Sequence, residues 1–471
     1  MKAFQGKSTA APSRSSAAWG YAAHHPLTTI FFFALFVRLI NLSLLTGRDA
    51  FFAEQDTFAY WTLGAALAKP DDFWSTLLSM TDRMPLYPLL LAGIQHTIGD
   101  APRAVALIQA AIDAGTCALI AALGALISPV AGLIAGVLAA LSVTLIVFST
   151  QILTDSLFLF FFTLMLLAGA RFLLRPTMGL AIWGGLTGGL ALATRPAVAL
   201  LLAAAVPLVF VVALVQRRRV APALLVAMLF AIAAAAPITP GLMRNAIRYD
   251  SVSVTSQTGD YWAFWIVPLV TERADGTPYQ TTFDRMEALY RNESSAEPNP
   301  FRRSAIATRL AREQMARLPP TAYAKAWLEG MVVNLAAPAL LADPRVRALP
   351  KPSFYNTPGG SLWQKAWTYL FADPGRYQFL LILGLVATLP FLALEAIGFV
   401  MLARTLPWAA AFASGVLAYF LLLNGPIAAP KYRLPMEPVL IVLAAIPLAW
   451  VAERRRRALA VAPVSDGGMA T

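Results

Sequence analysis

The stretch Pro85-Leu-Tyr-Pro-Leu-Leu-Leu-Ala-Gly-Ile-Gln-His-Thr-Ile98 is apolar but short, and its interpretation decides the fold predicted for the whole chain. As an α-helix it reaches only about 21 Å at 1.5 Å per residue, whereas the hydrocarbon core of a bilayer is roughly 30 Å thick. We therefore interpret it as a helix that lies at a membrane surface and does not cross. If it crossed, every later segment would face the opposite side.

The composition around this stretch is that of a polytopic membrane protein. Of the 471 residues, 58% are hydrophobic and only 13% are charged, whereas a soluble domain carries roughly 25% charged residues. Apolar runs of about 18 or more residues recur along the chain, which predicts an all-α fold with about ten transmembrane helices. The single cysteine, Cys117, excludes an intramolecular disulfide, and His24, His25 and His96 are not spaced as a metal triad.

The apolar runs and the polar stretches between them predict the domain organisation. The predicted spans are about 26–46, 103–127, 130–150, 156–174, 177–194, 197–215, 221–242, 377–402, 406–423 and 436–452. The predicted domains are a disordered cytoplasmic tail (1–25), a membrane module (26–242) that includes the first outer loop (47–102), an outer domain (243–375), the C-terminal transmembrane helices (376–453) and a cytoplasmic tail (454–471). The outer domain is expected to be a small, mostly helical cap, with amphipathic helices near 284–292 and 302–317.

Arginine clusters support this topology. With 85–98 lying at the surface, the clusters at Arg171, 217–219, Arg404 and 454–457 all face one side, which the positive-inside rule assigns to the cytoplasm. The net charge of +12 therefore reflects membrane topology and not nucleic-acid binding. The alanine- and arginine-rich composition indicates a bacterium, so we expect a multi-pass protein of the inner (plasma) membrane with both termini cytoplasmic.

One arginine falls inside the first predicted span. Arg38 lies there together with Asn41, and an arginine in the middle of a bilayer costs about 2.5 kcal/mol or more. Two interpretations are open: the side chain extends to the membrane surface, or it serves the functional site.

Five basic residues are exceptions to the positive-inside rule, because they fall on the outer side. They lie at predicted helix ends, on the same side as Asp56 and Asp155. Guanidinium groups bind phosphate through paired hydrogen bonds, and carboxylates transfer protons, so this combination suits an anionic, lipid-linked substrate. An alternative role for each basic residue is contact with lipid headgroups. The five residues are Arg83, Arg195, Arg244, Lys431 and Arg433.

Short motifs in this order resemble the GT-C glycosyltransferases that use polyprenyl-phosphate sugars, especially the lipid A aminoarabinose transferase and protein O-mannosyltransferase branch. The resemblance covers about 40–450, and it implies a shared helical module, a surface helix in the first outer loop and a lipid-linked donor. The motifs are Asp56 with Tyr60; Arg83-Met-Pro-Leu-Tyr-Pro-Leu-Leu-Leu-Ala92; Thr154-Asp155-Ser-Leu-Phe158; Gly188-Gly-Leu-Ala-Leu-Ala-Thr-Arg195-Pro196; Arg244-Asn245; and Tyr432-Arg433-Leu-Pro-Met-Glu-Pro438.

The resemblance implies an integral-membrane glycosyltransferase that transfers a sugar from a polyprenyl-phosphate donor to a glycolipid, glycan or protein on the periplasmic face. The mechanism expected is single displacement with inversion, with Asp56 as general base and Asp155 positioning the acceptor or a catalytic partner. Helix capping is the alternative role for each aspartate. The predicted donor-phosphate ligands are Arg83, Arg195, Arg433, Lys431 and Arg244, and the candidates for assisting roles are Glu54, Tyr60 and Tyr87.

The sequence also departs from the family in one place and leaves one competing function open. Many members have a glutamate after the first-loop aspartate, whereas Thr57 follows Asp56 here and Glu54 precedes it. No cofactor is predicted, and a divalent metal is not indicated, because Asp56, Glu54 and Asp155 are the only acids placed to bind one. The competing function is a transporter or flippase of lipid-linked sugars, which would favour internal repeats that this sequence does not clearly show.

Overall fold

The computed structural model describes residues 25–52, 55–354 and 357–461, and within these ranges the chain forms helices and turns without any β-strand. This confirms the predicted all-α fold. The predictions for Glu54 and for most of the two tails lie outside the described residues. In chain order the longer helices are α1 (Pro26–Ser43), α2 (Gln55–Leu67), α3 (Pro70–Ser79), α4 (Leu86–Ile98), α5 (Pro102–Ala125), α6 (Pro129–Leu141), α7 (Val143–Ser149), α8 (Asp155–Leu174), α9 (Met178–Thr194), α10 (Ala199–Arg217), α11 (Val220–Ala235), α12 (Thr239–Tyr249), α13 (Val267–Asp275), α14 (Tyr279–Ser294), α15 (Pro300–Met315), α16 (Pro320–Ala336), α17 (Leu362–Phe371), α18 (Arg376–Thr405), α19 (Pro407–Asn424) and α20 (Glu437–Val461).

Seven of the described helical segments are long and apolar enough to cross a membrane: α1, α5, α8, α10 with the turn before it, α18, α19 and α20. Two bent pairs, α6 with α7 and α11 with α12, raise the number to nine if each pair is one span. All ten predicted spans are therefore helical, but α9 has only 17 residues, at the lower limit of about 17 for a spanning helix. The count of ten spans stays a prediction.

Two spans that were predicted as continuous are broken in the structure. The helix expected over 130–150 bends by 51° between α6 and α7, where Ser142 is extended and its hydroxyl accepts a hydrogen bond from the backbone N–H of Leu145. The helix expected over 221–242 bends by 66° between α11 and α12. Pro237 and Pro240 lie at this second bend, and proline lacks the backbone N–H that a continuous helix needs.

The stretch 85–98 forms α4, whose 13 residues leave it outside the set of helices long enough to cross. It packs beneath α2 in the first outer loop. A Cβ atom on Gly64 of α2 would lie 2.7 Å from the Cβ of Leu91 in α4, so the absence of a side chain at Gly64 lets the two helices approach closely. Tyr87, Leu91 and Ile94 are buried in this contact region.

The glycines of α9 also serve close packing. A Cβ atom on Gly185 would collide with the carbonyl oxygen of Phe230, and one on Gly189 would collide with that of Ala234, both in α11. Small residues spaced four apart are a recurring way for membrane helices to bring their backbones together. Packing, and not phosphate binding, is therefore the role of these glycines.

Arg38 has neither of the two predicted roles. It is fully buried in α1, and its Nε donates a hydrogen bond to Asp113 of α5 at 2.7 Å. Its two Nη atoms donate to the carbonyls of Ala139 and Ala140, near the C-terminal end of α6. The last carbonyls of a helix lack partners within that helix, so the guanidinium group satisfies them here. Arg38 thus joins three helices inside the membrane module.

The outer segment is helical and rests on the first outer loop and on the loop after α19. It contains α13 to α17. The predicted amphipathic stretch 284–292 falls within α14, and 302–317 coincides with α15 except for its last two residues; α16 was not predicted. The backbone N–H of Ser256 donates to the carbonyl of Thr81 in the first loop at 2.9 Å. On the other side, Asn334 of α16 donates to the carbonyl of Ile427 at 2.9 Å. The predicted domain boundaries remain predictions, although the boundary at 243 falls inside α12.

Candidate active site

The first part of the site joins α2 to the chain just before α4. Asp56 lies in the first turn of α2, and Nη2 of Arg83 donates a hydrogen bond to its Oδ1 at 2.9 Å. The Asp56 side chain is 47% exposed, whereas that of Arg83 is only 16% exposed. The Nε atom of Arg83 is buried and has no hydrogen-bond partner in the described part of the chain. The pair thus combines an accessible carboxylate with a guanidinium group that keeps one buried donor unsatisfied.

The second part joins the start of α8 to the end of α9. Asp155 is the first residue of α8 and is buried, and Nη1 of Arg195 donates to its Oδ1. Thr154 occupies the N-cap position of α8, and no side chain caps this helix end. Asp155 therefore does not act as the helix cap that was one of its two predicted roles. It orients the guanidinium group of Arg195, which also lies 5.9 Å from the ring centre of Phe158.

Tyr60 lies between these two ion pairs. The guanidinium carbon of Arg83 is 5.4 Å from the centre of its ring. Burial raises the pKa of Tyr60 to about 12, although Arg83 and Arg195 act in the opposite direction, and Asp56 and Asp155 also affect it. All four charged groups therefore lie close enough to act on one hydroxyl. That hydroxyl is protonated at neutral pH and can donate a hydrogen bond.

Tyr87 supports the site from below. Its ring packs edge-on against Tyr60, with 5.4 Å between the ring centres. Its hydroxyl is fully buried and donates to Oε1 of Gln109 at 2.7 Å, and Nε2 of Gln109 donates to the carbonyl of Gln151 at 2.6 Å. This chain of contacts connects α4, α5 and the loop that leads to Asp155. Tyr87 thus holds other residues in place and does not itself face the exposed side of the cluster.

Arg433 is placed in a different network. It is buried, its Nε donates to Glu437 at 2.8 Å, and its Nη2 donates to Glu395 of α18 at 2.5 Å. Its remaining Nη1 donates to the carbonyl of Leu335 at the end of α16. All three nitrogens are thus engaged by protein groups, and the predicted phosphate-binding role of Arg433 remains untested.

The two other predicted phosphate ligands are also outside the cluster around Tyr60. Arg244 donates to Oδ1 of Asn245 through Nε (2.9 Å) and Nη2 (2.7 Å), and to the carbonyl of Leu77 at 2.8 Å, so it connects α12 to α3. Nζ of Lys431 lies 5.7 Å from the centre of the Tyr432 ring. Their roles toward the donor remain predictions.

Sequence reasoning missed three residues near these networks. Tyr432 was quoted in a motif without a role, yet it contributes to the environment of Arg195. Burial lowers the pKa of Arg195, but Asp155, Tyr432 and Tyr60 outweigh it, so this pKa is raised above its ordinary value. Glu395 and Glu437 were not proposed as partners of Arg433. A lone acid inside the apolar run of α18 was the available signal, because ionisable residues in membrane helices are usually paired.

The arrangement can perform proton transfer and bind an anion. Asp56 offers an accessible carboxylate, and Arg83 and Arg195 flank Tyr60. Among the described residues, no group of three or more His, Cys, Asp or Glu side chains is placed to hold a metal ion. The prediction that no cofactor is needed remains a prediction, since Glu54 lies outside the described ranges.

Comparisons with known proteins bear on the membrane module. Residues 82–240 match the family model described as dolichyl-phosphate-mannose-protein mannosyltransferase. This range contains Arg83, Asp155 and Arg195, but not Asp56 or Arg433. No curated protein matches the chain. Among solved structures, the chain is similar to apo ArnT from Cupriavidus metallidurans, at 15% identity and a TM-score of 0.37, covering 92% of this chain and 78% of that one.

The family match was expected, because three of the quoted motifs lie in the same range. They begin at Arg83, at Thr154 and at Gly188. It covers about a third of the chain, in the part that contains both ion-paired arginines of the site. The predicted resemblance is confirmed: this chain is similar to the GT-C membrane glycosyltransferases, and residues 82–240 carry the signature of the dolichyl-phosphate-mannose-protein mannosyltransferase family.

Proposed function

We propose that this protein transfers a sugar from a polyprenyl-phosphate donor to a glycolipid, glycan or protein acceptor at the periplasmic face of the inner membrane. The observation that carries the proposal is the half-exposed carboxylate of Asp56, held by Arg83 next to the ion pair of Asp155 and Arg195. The family match supports the reaction class, since dolichyl-phosphate mannose is a sugar carried on a polyprenyl-type phosphate.

The proposed reaction is a single displacement at the anomeric carbon of the sugar. The acceptor oxygen or nitrogen forms a bond to that carbon while its proton passes to Asp56. The bond from the anomeric carbon to the phosphate oxygen breaks, and its electron pair leaves with the polyprenyl phosphate. Because the nucleophile attacks opposite the leaving group, the configuration at the anomeric carbon is inverted.

Arg83 and Arg195 are the groups proposed to stabilise the leaving phosphate. Arg195 uses one Nη atom for Asp155. Arg83 uses Nη2 for Asp56, and its Nη1 lies 3.4 Å from Oδ2 of Asp82, while its buried Nε has no hydrogen-bond partner in the described part of the chain. Guanidinium donors that are already positioned stabilise developing negative charge without reorganising during the reaction. The protonated hydroxyl of Tyr60 lies between them and is suited to donate a third hydrogen bond.

The test uses the purified full-length protein, polyprenyl-phosphate sugars and a mixture of acceptors, and it measures released polyprenyl phosphate. Asp56→Asn removes the proton acceptor and keeps the size of the side chain, so we expect its turnover to fall by roughly 10²–10⁴-fold. Asp100→Asn is the matched control, because Asp100 is an exposed acid of the same loop that forms an ion pair with Arg48.

Two results would contradict the proposal. Equal turnover in wild type and Asp56→Asn would remove Asp56 from the mechanism. Movement of a lipid-linked sugar across vesicles that contain the protein, without release of polyprenyl phosphate from any donor, would favour a transporter.

A further inference from the structure

A cavity of about 120 Å³ lies in the outer segment, away from the ion pairs around Tyr60. Its walls come from α13, α16, α17 and the loop after α19. At roughly 10–15 Å³ per water-sized probe, the cavity has room for about ten small groups, which is the size of a single sugar ring. Apolar walls are provided by Leu269, Val333 and Phe354.

Four charged side chains line this cavity and are largely buried. Nζ of Lys365 donates to Oε1 of Glu272 at 2.8 Å, and Nη1 of Arg273 donates to Oε2 of the same carboxylate at 3.0 Å. Nε of Arg273 donates to Glu329 at 2.5 Å. The Lys365 side chain is only 3% exposed, and that of Glu329, the most accessible of the four, is 21% exposed. This network holds α13, α16 and α17 around the cavity.

The balance of charge restricts what the cavity can bind. Two cations and two carboxylates give the lining a net charge of zero. An anion is therefore repelled by Glu272 and Glu329, and a cation is repelled by Arg273 and Lys365. Like charges in a partly buried site repel strongly. A neutral ligand rich in hydroxyls instead donates to the carboxylates and accepts from the guanidinium and ammonium groups. The ring of Phe354 adds an apolar face of the kind on which sugar rings pack.

The cavity is also connected to the candidate active site by one short segment. Pro426 and Ala428 line the cavity, and Tyr432, four residues beyond Ala428, acts on Arg195. Four residues span at most about 14 Å. The segment is fixed by two hydrogen bonds with Asn334 of α16, whose Nδ2 donates to the carbonyl of Ile427 at 2.9 Å and whose Oδ1 accepts from the backbone N–H of Ala429 at 3.2 Å.

We propose that this cavity binds one neutral sugar ring of the acceptor and thereby sets acceptor specificity. The assignment rests on the proposed glycosyl transfer, and it narrows the acceptor to a glycan or glycolipid. The ring sits in the cavity, while the attacking group reaches toward Asp56. The donor sugar is bound elsewhere, at the cluster around Tyr60.

The first experiment does not depend on turnover. Hydrogen–deuterium exchange is followed in 267–275 and 320–336 of the full-length protein in lipid nanodiscs, with free glucose, N-acetylglucosamine or inorganic phosphate added in turn. We expect a neutral sugar to slow exchange in both stretches and phosphate to have no effect. Protection by phosphate instead, or by neither sugar, would overturn the assignment.

Two variants test the site itself. Val333→Phe fills the cavity and leaves all four charges in place, whereas Glu329→Gln removes one hydrogen-bond acceptor. We expect each variant to need at least about tenfold more sugar for the same protection and to raise the acceptor KM similarly. In Val333→Phe the added ring occupies the space of the sugar, and in Glu329→Gln a hydrogen bond to a charged group is lost. Glu293→Gln is the control, because it alters the exposed pair of Glu293 and Arg309 in the same outer segment.

The outcomes separate this inference from the proposed function. If a sugar still slows exchange in both stretches but no donor releases polyprenyl phosphate, the sugar site stands and the proposed glycosyl transfer is rejected. Unchanged sugar protection in Val333→Phe would place the sugar outside this cavity, even if Glu329→Gln fails to fold.

Discussion

At Asp56, an arginine holds the carboxylate in a way that a lysine cannot reproduce. Arg83 uses one nitrogen for Asp56, places its guanidinium plane near the ring of Tyr60 and keeps a buried Nε donor. Lysine carries a similar charge but as a single flexible ammonium group without the planar set of donors. The function of this residue therefore depends on its shape as well as on its charge.

We predict that Arg83→Lys lowers kcat/KM for the lipid-linked donor by roughly 10- to 100-fold, since about 1.5–3 kcal/mol is expected for a lost hydrogen bond to a charged group. Release of polyprenyl phosphate at several donor concentrations measures this. Arg48→Lys is the control, because Arg48 forms an exposed ion pair with Asp100 in the same loop. Wild-type kinetics in Arg83→Lys would show that charge alone is needed.

Tyr60 gives a prediction on pH. Its pKa is raised from 10.0 to about 12, first of all by burial, so the folded protein favours the neutral phenol. This preference for the neutral phenol contributes to the free energy of unfolding. The contribution is fully present below about pH 10 and is lost as the pH rises through about 12. We expect the difference in tyrosinate absorbance between the wild type and Tyr60→Phe to rise with pH, with a midpoint near pH 12. A midpoint near 10 would show that the hydroxyl is solvated.

At the scale of residues, the sequence identified the charged groups but not their pairing. Asp56, Arg83, Asp155 and Arg195 were each predicted from their position on the outer side. The partners are 27 and 40 residues apart along the chain, and only the packing of helices determines which guanidinium faces which carboxylate. The same limitation explains Arg433, which was grouped with the outer arginines but lies with two glutamates in a buried network.

At the scale of elements, the contact between α9 and α11 depends on the absence of side chains at its glycines. We predict that Gly185→Ala destabilises the protein by about 1–3 kcal/mol, because the added Cβ atom meets the backbone carbonyl of Phe230, which cannot move aside easily. Thermal unfolding in detergent measures the change.

The control for this substitution lies in the same helix. Gly179 of α9 has no atom within 4 Å of the position where a Cβ would be, so Gly179→Ala is expected to be neutral or slightly stabilising. A loss of stability as large as that of Gly185→Ala would show that the contact with α11 is not the cause, because alanine favours a helix more than glycine does.

The ends of the elements show where hydropathy stops being informative. The predicted spans and the observed helices agree closely for α1, α5, α8 and α19. The breaks after α6 and α11 were not predicted, because the apolar runs continue through Ser142 and through the residues around Pro237. Hydropathy measures transfer into lipid and carries no information on the direction of the helix axis, so a bend inside an apolar run is invisible to it.

At the scale of the whole molecule, the proposed chemistry requires the outer segment and the cluster around Tyr60 to share the periplasmic side. We predict that a membrane-impermeant maleimide labels Ser295→Cys in intact spheroplasts, and that it labels Thr405→Cys only after the membrane is opened. Both positions are exposed, and the natural Cys117 is buried, so the background is low. The reverse pattern would place the site in the cytoplasm.

The overall class was predictable from the sequence because length, hydropathy and arginine clusters act over the whole chain. The charges inside the membrane were less well interpreted. Asp113 and Glu395 are lone acids in apolar helices, and the general rule that such groups are paired predicts a basic partner for each. Only the packing of helices identifies these partners as Arg38 and Arg433. The geometry of the cavity between α13, α16 and α17 had no signal in the sequence, because its residues come from distant segments.

The ion pair of Arg38 and Asp113 has a consequence for how the protein is made. The two residues are 75 positions apart, so at about 5–20 residues per second Arg38 leaves the ribosome about 4–15 s before its partner does. During that interval α1 carries an unpaired charge that opposes its insertion by about 2.5 kcal/mol or more. We therefore expect release of α1 into the lipid to become more favourable once α5 arrives, because the two charges can then enter the bilayer as a pair.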